Sequence, residues 1–151
     1  MKYSGTLTSA REYAQKGRLE EWVHLYLLSD GRNKPFSDGI KKERRCFFGL
    51  ADMPVALFEH ICGPEEGMAY RVDPDGFDRH VSNLAREIAA GEDLPPMIVQ
   101  YHDRTFELND GNHRLAACAR AGVKHFPVII WITKEEDRDA FIKKYGCYMK
   151  K

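Results

Sequence analysis

Apolar residues in the first part of the chain recur with the spacing of helices. Between residues 19 and 27 they lie three and four positions apart, which places them on one face of a helix. These residues are Leu19, Trp22, Val23, Tyr26 and Leu27. Ser9 to Glu12 have the form of a capping box, so an earlier helix is predicted there, with a bend near Gly17. Residues 30–45 are polar and are predicted as a loop or a short helix.

A third helix is predicted over residues 54–62, with Asp52 as its cap. Its inward-facing residues are Leu57, Phe58 and Ile61. The chain changes character near residue 70, where helix and strand patterns begin to alternate. We therefore predict an N-terminal helical extension, residues 1–70, packed on an α/β core, residues 71–151, as one compact domain.

The second part of the chain begins with an amphipathic helix and a β-hairpin. Pro74 lies in the first turn of the helix, where a proline is tolerated, and Gly91 follows its end as a left-handed cap. The apolar stripe of this helix consists of Phe77, Val81, Leu84 and Ile88. Residues 97–101 and 105–108 are predicted as two strands that a turn joins.

A helix and a buried strand complete the predicted core. Residues 115–121 have a helical pattern that Gly122 ends, and residues 126–132 form a nearly continuous apolar run. Such a run is typical of a strand that is covered on both faces. Thr133 to Glu136 have the form of a second capping box, so a C-terminal helix is predicted to about residue 145. These patterns assign the chain to the α/β class.

Composition and charge narrow the function classes. The chain has 151 residues, enough for one domain with a core, and its 23 basic residues equal its 23 acidic ones. This balance disfavours nucleic acid as a partner, although a local basic patch would still permit it, and it gives no attraction to an anionic membrane. No apolar run approaches the ~20 residues that span a bilayer, so the cytoplasm is the expected compartment. The four cysteines form no Cys-x-x-Cys pair, which excludes a zinc ribbon and a thioredoxin-type motif.

One short segment combines the features of an anion-binding turn. The strand predicted over residues 105–108 is broken at residues 109–111, Gly111 permits a tight turn, and a helix begins at once. The first N–H groups of that helix have no partner within it and the helix dipole adds positive charge, so a phosphate is a natural occupant. Arg114 can donate two N–H groups to phosphate oxygens, and His113 can donate a hydrogen bond or, if its pKa is raised, carry a full charge. Asp110 can hold a Mg²⁺ that bridges phosphates or accept a proton from a substrate hydroxyl.

A purely structural explanation of the same segment stays open. Asp110 can cap the helix, Gly111 can serve the turn, and Arg114 can form a surface salt bridge. The binding hypothesis requires helix amides that the protein itself does not cap and a guanidinium directed at the ligand. Capped amides, together with a guanidinium turned into solvent or locked to a neighbouring acid, would contradict it.

The sequence Asp-Gly-Asn-His-Arg at residues 110–114, followed by two alanines, resembles the box of the ParB/sulfiredoxin superfamily. The resemblance extends over roughly residues 70–132. A helix, Gly91, two prolines and a strand precede the box, and Gly122 and a further strand follow it. The resemblance implies a ParB/sulfiredoxin-like α/β (α+β) fold, with a small mixed sheet, flanking helices and an extra N-terminal helical layer.

The resemblance also implies that the turn holds the phosphates of a nucleoside triphosphate, ATP or CTP, together with Mg²⁺. The implied phosphate contacts are Gly111, Asn112, His113 and Arg114, with Arg71 as an additional basic contact. In sulfiredoxins a catalytic cysteine stands between the glycine and the histidine, and here Asn112 occupies that place, so sulfiredoxin chemistry is not expected. The box is closest in form to the Asp-Gly-His-His-Arg turn of the superfamily's small-molecule kinases, whose catalytic aspartate Asp110 matches.

Three functions are compatible with this resemblance. The first is an ATP- or NTP-dependent phosphotransferase or nucleotidase that acts on a small-molecule acceptor, with Asp110, His113 and Arg114 as catalytic residues. The second is a non-catalytic, ParB-like module that senses CTP or ATP. The third is a DNA-associated nuclease, which the neutral net charge disfavours.

Overall fold

The computed structural model describes residues 2–58, 62–63, 70–71 and 73–149, with the side chains of residues 62–63 and 70–71 left out. Within these ranges the chain forms six α-helices and six strands. The helices are α1 Leu7–Gln15, α2 Leu19–Leu28, α3 Lys34–Ile40, α4 Pro74–Ala89, α5 Asn112–Ala121 and α6 Glu135–Tyr145. The strands are β1 Cys46–Pro54, β2 Cys62–Gly63, β3 Tyr70–Arg71, β4 Met97–His102, β5 Thr105–Asp110 and β6 His125–Ile132. Short 3₁₀ helices follow at Val55–Leu57 and Gly146–Met149.

A four-stranded mixed sheet organises the fold, in the order β1-β6-β4-β5. β6 pairs with β4 in parallel and with β1 in antiparallel orientation, while β4 and β5 form an antiparallel hairpin. The position of β6 inside the sheet explains the nearly continuous apolar run, because neighbouring strands pair with both of its edges and each face carries a covering layer. The α/β class and the mixed sheet are confirmed.

Alternate residues of the sheet belong to two different hydrophobic clusters. Ile130 and Val99 pack in a cluster with Leu115 of α5 and Phe141 of α6. Ile98, Ile129 and Trp131 belong to a second cluster. The helical residues of that second cluster are Ala10, Tyr13, Leu19, Trp22, Val23, Tyr26, Leu27 and Ile40. Because strand side chains alternate between faces, the N-terminal helices cover the face of the sheet that α6 leaves open.

The local signals of the core predicted its elements well. α4 begins with Pro74 after the capping residue Asp73, whose carboxylate accepts a hydrogen bond from the amide of Gly76. The turn between β4 and β5 has positive φ at Asp103 and Arg104, as a two-residue hairpin of the primed type requires. Gly91, predicted as a left-handed cap after α4, has positive φ, and so does Gly122, which is predicted to end α5. The predicted apolar stripe of α2 is buried at all five positions.

Both predicted capping boxes are wrong. α1 begins at Leu7, two residues before Ser9, and its cap is Thr6, whose hydroxyl accepts from the amide of Ser9. The hydroxyl of Ser9 instead accepts from the amide of Ser4. At the second box the hydroxyl of Thr133 accepts a hydrogen bond from the Arg45 guanidinium, so α6 begins without a side-chain cap. In each case another partner takes the hydroxyl that the pattern assigns to the cap.

The helix predicted over residues 54–62 is also wrong. Residues 46–54 are a strand, and only Val55–Leu57 turn helically after it, while residues 59–61 lie outside the described residues. Ala51 and Met53 are buried and Asp52 between them is exposed, which is strand alternation where we expected a cap. The predicted N-terminal extension therefore supplies a sheet strand as well as helices. The domain boundary near residue 70 stays a prediction.

Candidate functional site

The chain turns sharply from β5 into α5 at Gly111. This residue has φ +119°, in the left-handed region, and α5 begins directly afterwards at Asn112. A Cβ atom built on Gly111 would lie 2.6 Å from Cγ of Met97 and 3.3 Å from Nη2 of Arg114. Glycine is therefore needed here for its backbone conformation and for the close approach of β4 and the Arg114 side chain.

The amino end of α5 begins without a side-chain cap from its N-cap residue. That residue, Gly111, has no side chain with which to cap the helix. Within the described residues, the amides of His113 and Arg114 also lack a backbone hydrogen-bond partner, and the first intrahelical bond is donated by Leu115 to the Gly111 carbonyl. Asp110 does not cap the helix, so this part of the structural alternative does not hold. Asn112 opens the helix and is half-buried.

The Arg114 guanidinium is held by the protein itself. Its Nη2 donates to Oδ2 of Asp110 at 2.8 Å and to the carbonyl oxygen of Pro96 at 3.1 Å. The two charged side chains keep only 11% and 18% of their exposure, so this is an inward-facing ion pair, whereas the structural alternative expected a surface one. Nε of Arg114 is buried without a hydrogen-bond partner among the described residues. One of the two conditions that would contradict the binding hypothesis, an arginine locked to an acid, is thus met, whereas no described group caps the amides of His113 and Arg114.

Electrostatics keep this arginine charged. Burial works against the charge of Arg114, but the Asp110 carboxylate and the Tyr26 hydroxyl outweigh burial and raise the pKa of Arg114 above its usual value. Tyr26 is a residue of α2 that is 4% exposed, and burial raises its own pKa to about 12. The N-terminal helical layer therefore contributes a neutral hydroxyl beside the Asp110–Arg114 pair. The sequence pattern indicated only a core role for Tyr26.

Two histidines stack beside the turn. The rings of His113 and His80 lie 4.3 Å apart with an angle of 25° between them, and Phe77 packs against His113 at 5.0 Å. Burial, together with His80 and Arg114, lowers the pKa of His113, so its imidazole is neutral at neutral pH. His113 can donate a hydrogen bond, but it does not carry the full charge that a raised pKa would give. His80 was missed from the sequence, although its spacing of three from Phe77 places both on the same side of α4.

These groups line one open cleft of about 290 Å³. The lining residues are Tyr26, Asp30, Gly31, His80, Leu84, Pro95, Asp110, Gly111, His113 and Arg114. The structure thus brings together four of the predicted site residues, with Asn112 next in the chain. The side chain of Arg71 lies outside the described residues, so its predicted phosphate contact stays a prediction. The described residues hold no group of three or more histidines, cysteines and acids that could bind a metal.

Cys118 does not supply a nucleophile to this cleft. It lies on α5 four residues after Arg114 and is completely buried. Burial raises the pKa of its thiol to about 11, so it remains protonated at neutral pH.

No helix in the described ranges is long and apolar enough to cross a membrane.

Part of this chain matches the model of a known domain family. Residues 69–143 match the model of the ParB N-terminal domain. No curated protein matches this chain. Solved structures that resemble it include sulfiredoxin from Arabidopsis thaliana, with 18% identity, 62% of this chain and 97% of that chain covered, and a TM-score of 0.46.

Two ParB structures are also similar to this chain. One is the C-terminally truncated chromosome-partitioning protein ParB from Caulobacter crescentus complexed with CTP-gamma-S, with 16% identity, 65% of this chain covered and a TM-score of 0.45. The other is a Pnob8-like ParB-N domain, with 15% identity, 64% of this chain covered and a TM-score of 0.39. This chain spans 53% and 34% of the length of those two chains.

Proposed function

Because this chain carries a ParB/sulfiredoxin-like domain, we propose that the cleft at the start of α5 binds a nucleoside triphosphate and transfers or hydrolyses its terminal phosphate. The substrate class is a small metabolite with a hydroxyl group, or water. The observation that carries the proposal is that the amides of His113 and Arg114, which have no partner among the described residues, lie beside a cleft that also contains a buried, charged arginine.

The helix end supplies the first element of phosphate binding. The amides of His113 and Arg114 point away from the helix without described partners, and the helix dipole adds partial positive charge. A phosphate at this position satisfies donors that are otherwise left to water. Only glycine fits at position 111 of this turn, because any side chain there would collide with Met97.

The ion pair supplies the second element. Asp110 and Arg114 neutralise each other in the ligand-free protein, so the buried guanidinium is held ready without an unpaired charge. A phosphate that arrives at the helix end competes with the Asp110 carboxylate for the same guanidinium. Binding then frees Asp110 to accept the proton of an acceptor hydroxyl, while Arg114 and the helix amides stabilise the transferred phosphoryl group.

The cleft also fits the magnesium ion that accompanies nucleoside triphosphates. A magnesium ion held through phosphates needs only one or two protein carboxylates, because water and phosphate oxygens complete its coordination. Asp110 and Asp30 are the carboxylates among the cleft residues, and Tyr3 already donates a hydrogen bond of 2.7 Å to Asp30. As the alternative to accepting a proton, Asp110 would then be the principal protein ligand of the ion, which would neutralise phosphate charge.

A direct test compares two arginines of α5. Arg114→Ala should weaken the binding of magnesium nucleotides by about 1.5–3 kcal/mol, the usual worth of a hydrogen bond to a charged group. Arg120→Ala is the matched control, because Arg120 lies on the same helix as Arg114 but outside the cleft. Its guanidinium pairs with Asp78 of α4 at 2.7 Å. The measurement is calorimetric titration with ATP, CTP and GTP and their diphosphates, after a thermal-shift screen. Equal affinities for the two variants would remove Arg114 from the site.

Turnover requires a separate experiment. The protein is incubated with magnesium nucleotide and a panel of hydroxylated metabolites, and phosphorus NMR follows the appearance of a phosphate ester or of free phosphate. The activity should be lost in Asp110→Ala and retained in Asp78→Ala. Absence of any product difference between wild type and Asp110→Ala would contradict catalysis.

One observation favours a second candidate, a nucleotide-sensing module without turnover. In this structure Oδ2 of Asp110 already accepts a hydrogen bond from Arg114 at 2.8 Å, so this oxygen is not free to accept a proton from a substrate. If the pair persists when nucleotide is bound, no general base is available in the cleft. Tight nucleotide binding with no product in the NMR experiment would establish this alternative.

A further inference from the structure

A second cavity lies at the opposite end of the β4–β5 hairpin. Asp110 pairs with Ile98 at one end of the hairpin, whereas His102 and Thr105 pair at the turn, about 17 Å away along β5 at ~3.4 Å per residue. At the turn, the hairpin and α6 enclose a cavity of about 450 Å³. It is lined by Tyr101, Arg104, Ala140, Lys143 and Lys144. None of these residues belongs to the cleft at α5.

The charge of this cavity has one sign. Arg104, Lys143 and Lys144 line it, and no described acid does. The buried carboxylate of Asp137, which is close enough to contribute to the raised pKa of Tyr101, does not line the cavity and accepts a hydrogen bond from the amide of Asp103 at 3.2 Å. Since the net charge of the chain is zero, three cations around one concave surface are a local concentration of positive charge.

The wall of the cavity carries an unused donor. Tyr101 is 1% exposed, and its ring is packed among Phe106, Phe141 and Tyr145. Its hydroxyl has no hydrogen-bond partner among the described residues, and since it is not one of the buried atoms that lack a partner, it is open to water in the cavity. Burial raises the pKa of Tyr101, so the hydroxyl stays protonated and can donate. A ligand oxygen in the cavity would satisfy it.

We propose that this cavity is a second ligand site, which binds a small organic anion with a carboxylate or phosphate group on an apolar body. The hydroxyl of Tyr101 donates to the anionic group, and Arg104, Lys143 and Lys144 supply the balancing charge. The ring of Tyr101 and the methyl group of Ala140 contact the apolar body. The site is independent of the nucleotide cleft and of its proposed function.

The test uses phenyl phosphate and benzoate as probes, with neutral benzyl alcohol as the uncharged comparison. Binding to the full chain is measured by calorimetry and by amide NMR shifts at Tyr101 and Ala140. Tyr101→Phe, which keeps the ring, should weaken binding of the anion about tenfold, the effect of losing one hydrogen bond to a charged group. The double variant Lys143→Ala/Lys144→Ala should weaken it at least as much, and added salt should weaken it in the wild type.

Matched controls come from the rest of the chain. Lys41→Ala/Lys42→Ala removes another adjacent pair of exposed lysines, and Tyr13→Phe alters another buried tyrosine. Both should bind the anions as the wild type does, and Arg114→Ala should lose only binding in the nucleotide cleft while the shifts of the Tyr101 and Ala140 amides persist. Which of the two anions binds more tightly identifies the preferred group.

Three results would overturn the proposal. They are no saturable binding of either anion, equal binding of benzyl alcohol, and loss of binding in Arg114→Ala alone, which would place the anions in the nucleotide cleft. If Tyr101→Phe melts well below the wild type, the lysine double variant, altered only at the surface, decides the outcome.

Discussion

Replacing Asp110 by asparagine separates the structural role of the Asp110–Arg114 pair from its proposed role in binding. The variant keeps the size and shape of the side chain but leaves Arg114 without its counter-charge. Removing one partner of a fully buried ion pair costs about 3–5 kcal/mol. The pair here keeps 11% and 18% of its side-chain exposure, and the Pro96 carbonyl still accepts from Arg114. We therefore expect a loss of about 2 kcal/mol, near the lower part of the range for hydrogen bonds to charged groups.

The same substitution should strengthen anion binding when magnesium is absent. In the wild type a phosphate must compete with the Asp110 carboxylate for the guanidinium, and it also meets the repulsion of that carboxylate. Without the negative charge, we expect the affinity for a nucleotide in the presence of a chelator to rise about tenfold, or about 1.4 kcal/mol. Magnesium should then improve binding in the wild type but not in Asp110→Asn, because the variant lacks the carboxylate that holds the ion.

Two assays and one control decide this prediction. Thermal unfolding should show a decrease in Tm of about 4–8 °C for a 2 kcal/mol loss in a chain of this size. Asp78→Asn is the control, because it breaks the exposed pair with Arg120, in which 64% and 42% of the side chains remain exposed, and should cost less than about 1 kcal/mol. Equal stabilities for the two variants, with nucleotide affinity unchanged in both, would refute the reasoning about the pair.

The remaining predictions concern the backbone turn and the histidine beside it. Gly111→Ala should destabilise the protein by about 1–3 kcal/mol, because φ is +119° and a Cβ would lie 2.6 Å from the Met97 side chain. Gly122→Ala, with φ +71° and nothing within 4 Å of its Cβ, should cost only about 1 kcal/mol, and equal losses in urea unfolding would contradict the steric argument. The lowered pKa of His113 should make stability fall as the pH drops below about 6.5, because the unfolded chain then binds a proton that the folded chain resists. His113→Gln should flatten this part of the stability profile, and an unchanged slope would assign the pH dependence to other groups.

Elements with strong local signals were predictable from the sequence. α4 has a capping aspartate, a proline in its first turn and an apolar stripe, and the β4–β5 hairpin has a short polar turn between two apolar runs. The turn at Gly111 is of the same kind, because its strand end, glycine and helix start are consecutive in the chain. Each of these features depends on neighbours within a few residues, and the sequence displays such neighbours directly.

β1 shows where that reasoning fails. Its residues include Gly49, Asp52 and Pro54, which weaken any strand pattern, and its pairing partner β6 lies far along the chain. The strand forms because β6 offers an open edge, and Ala51 and Met53 gain burial there. Tertiary pairing thus overrides local preference. The misplaced cap at Thr133 has the same origin, since the distant Arg45 binds its hydroxyl, whereas at Ser9 a local contact with the amide of Ser4 takes the hydroxyl.

The residue types of the candidate site are legible in the sequence of the turn: an acid, a glycine, a histidine and an arginine, in the order that starts a helix after a strand. Which of these groups is available to a ligand depends on elements that are distant in sequence. Arg114 donates a hydrogen bond to the carbonyl of Pro96, the residue just before β4, and lies beside Tyr26 of α2. His80 of α4 stacks on His113. The charge state and the partners of a buried side chain depend on everything that surrounds it in three dimensions, and folding alone assembles those surroundings.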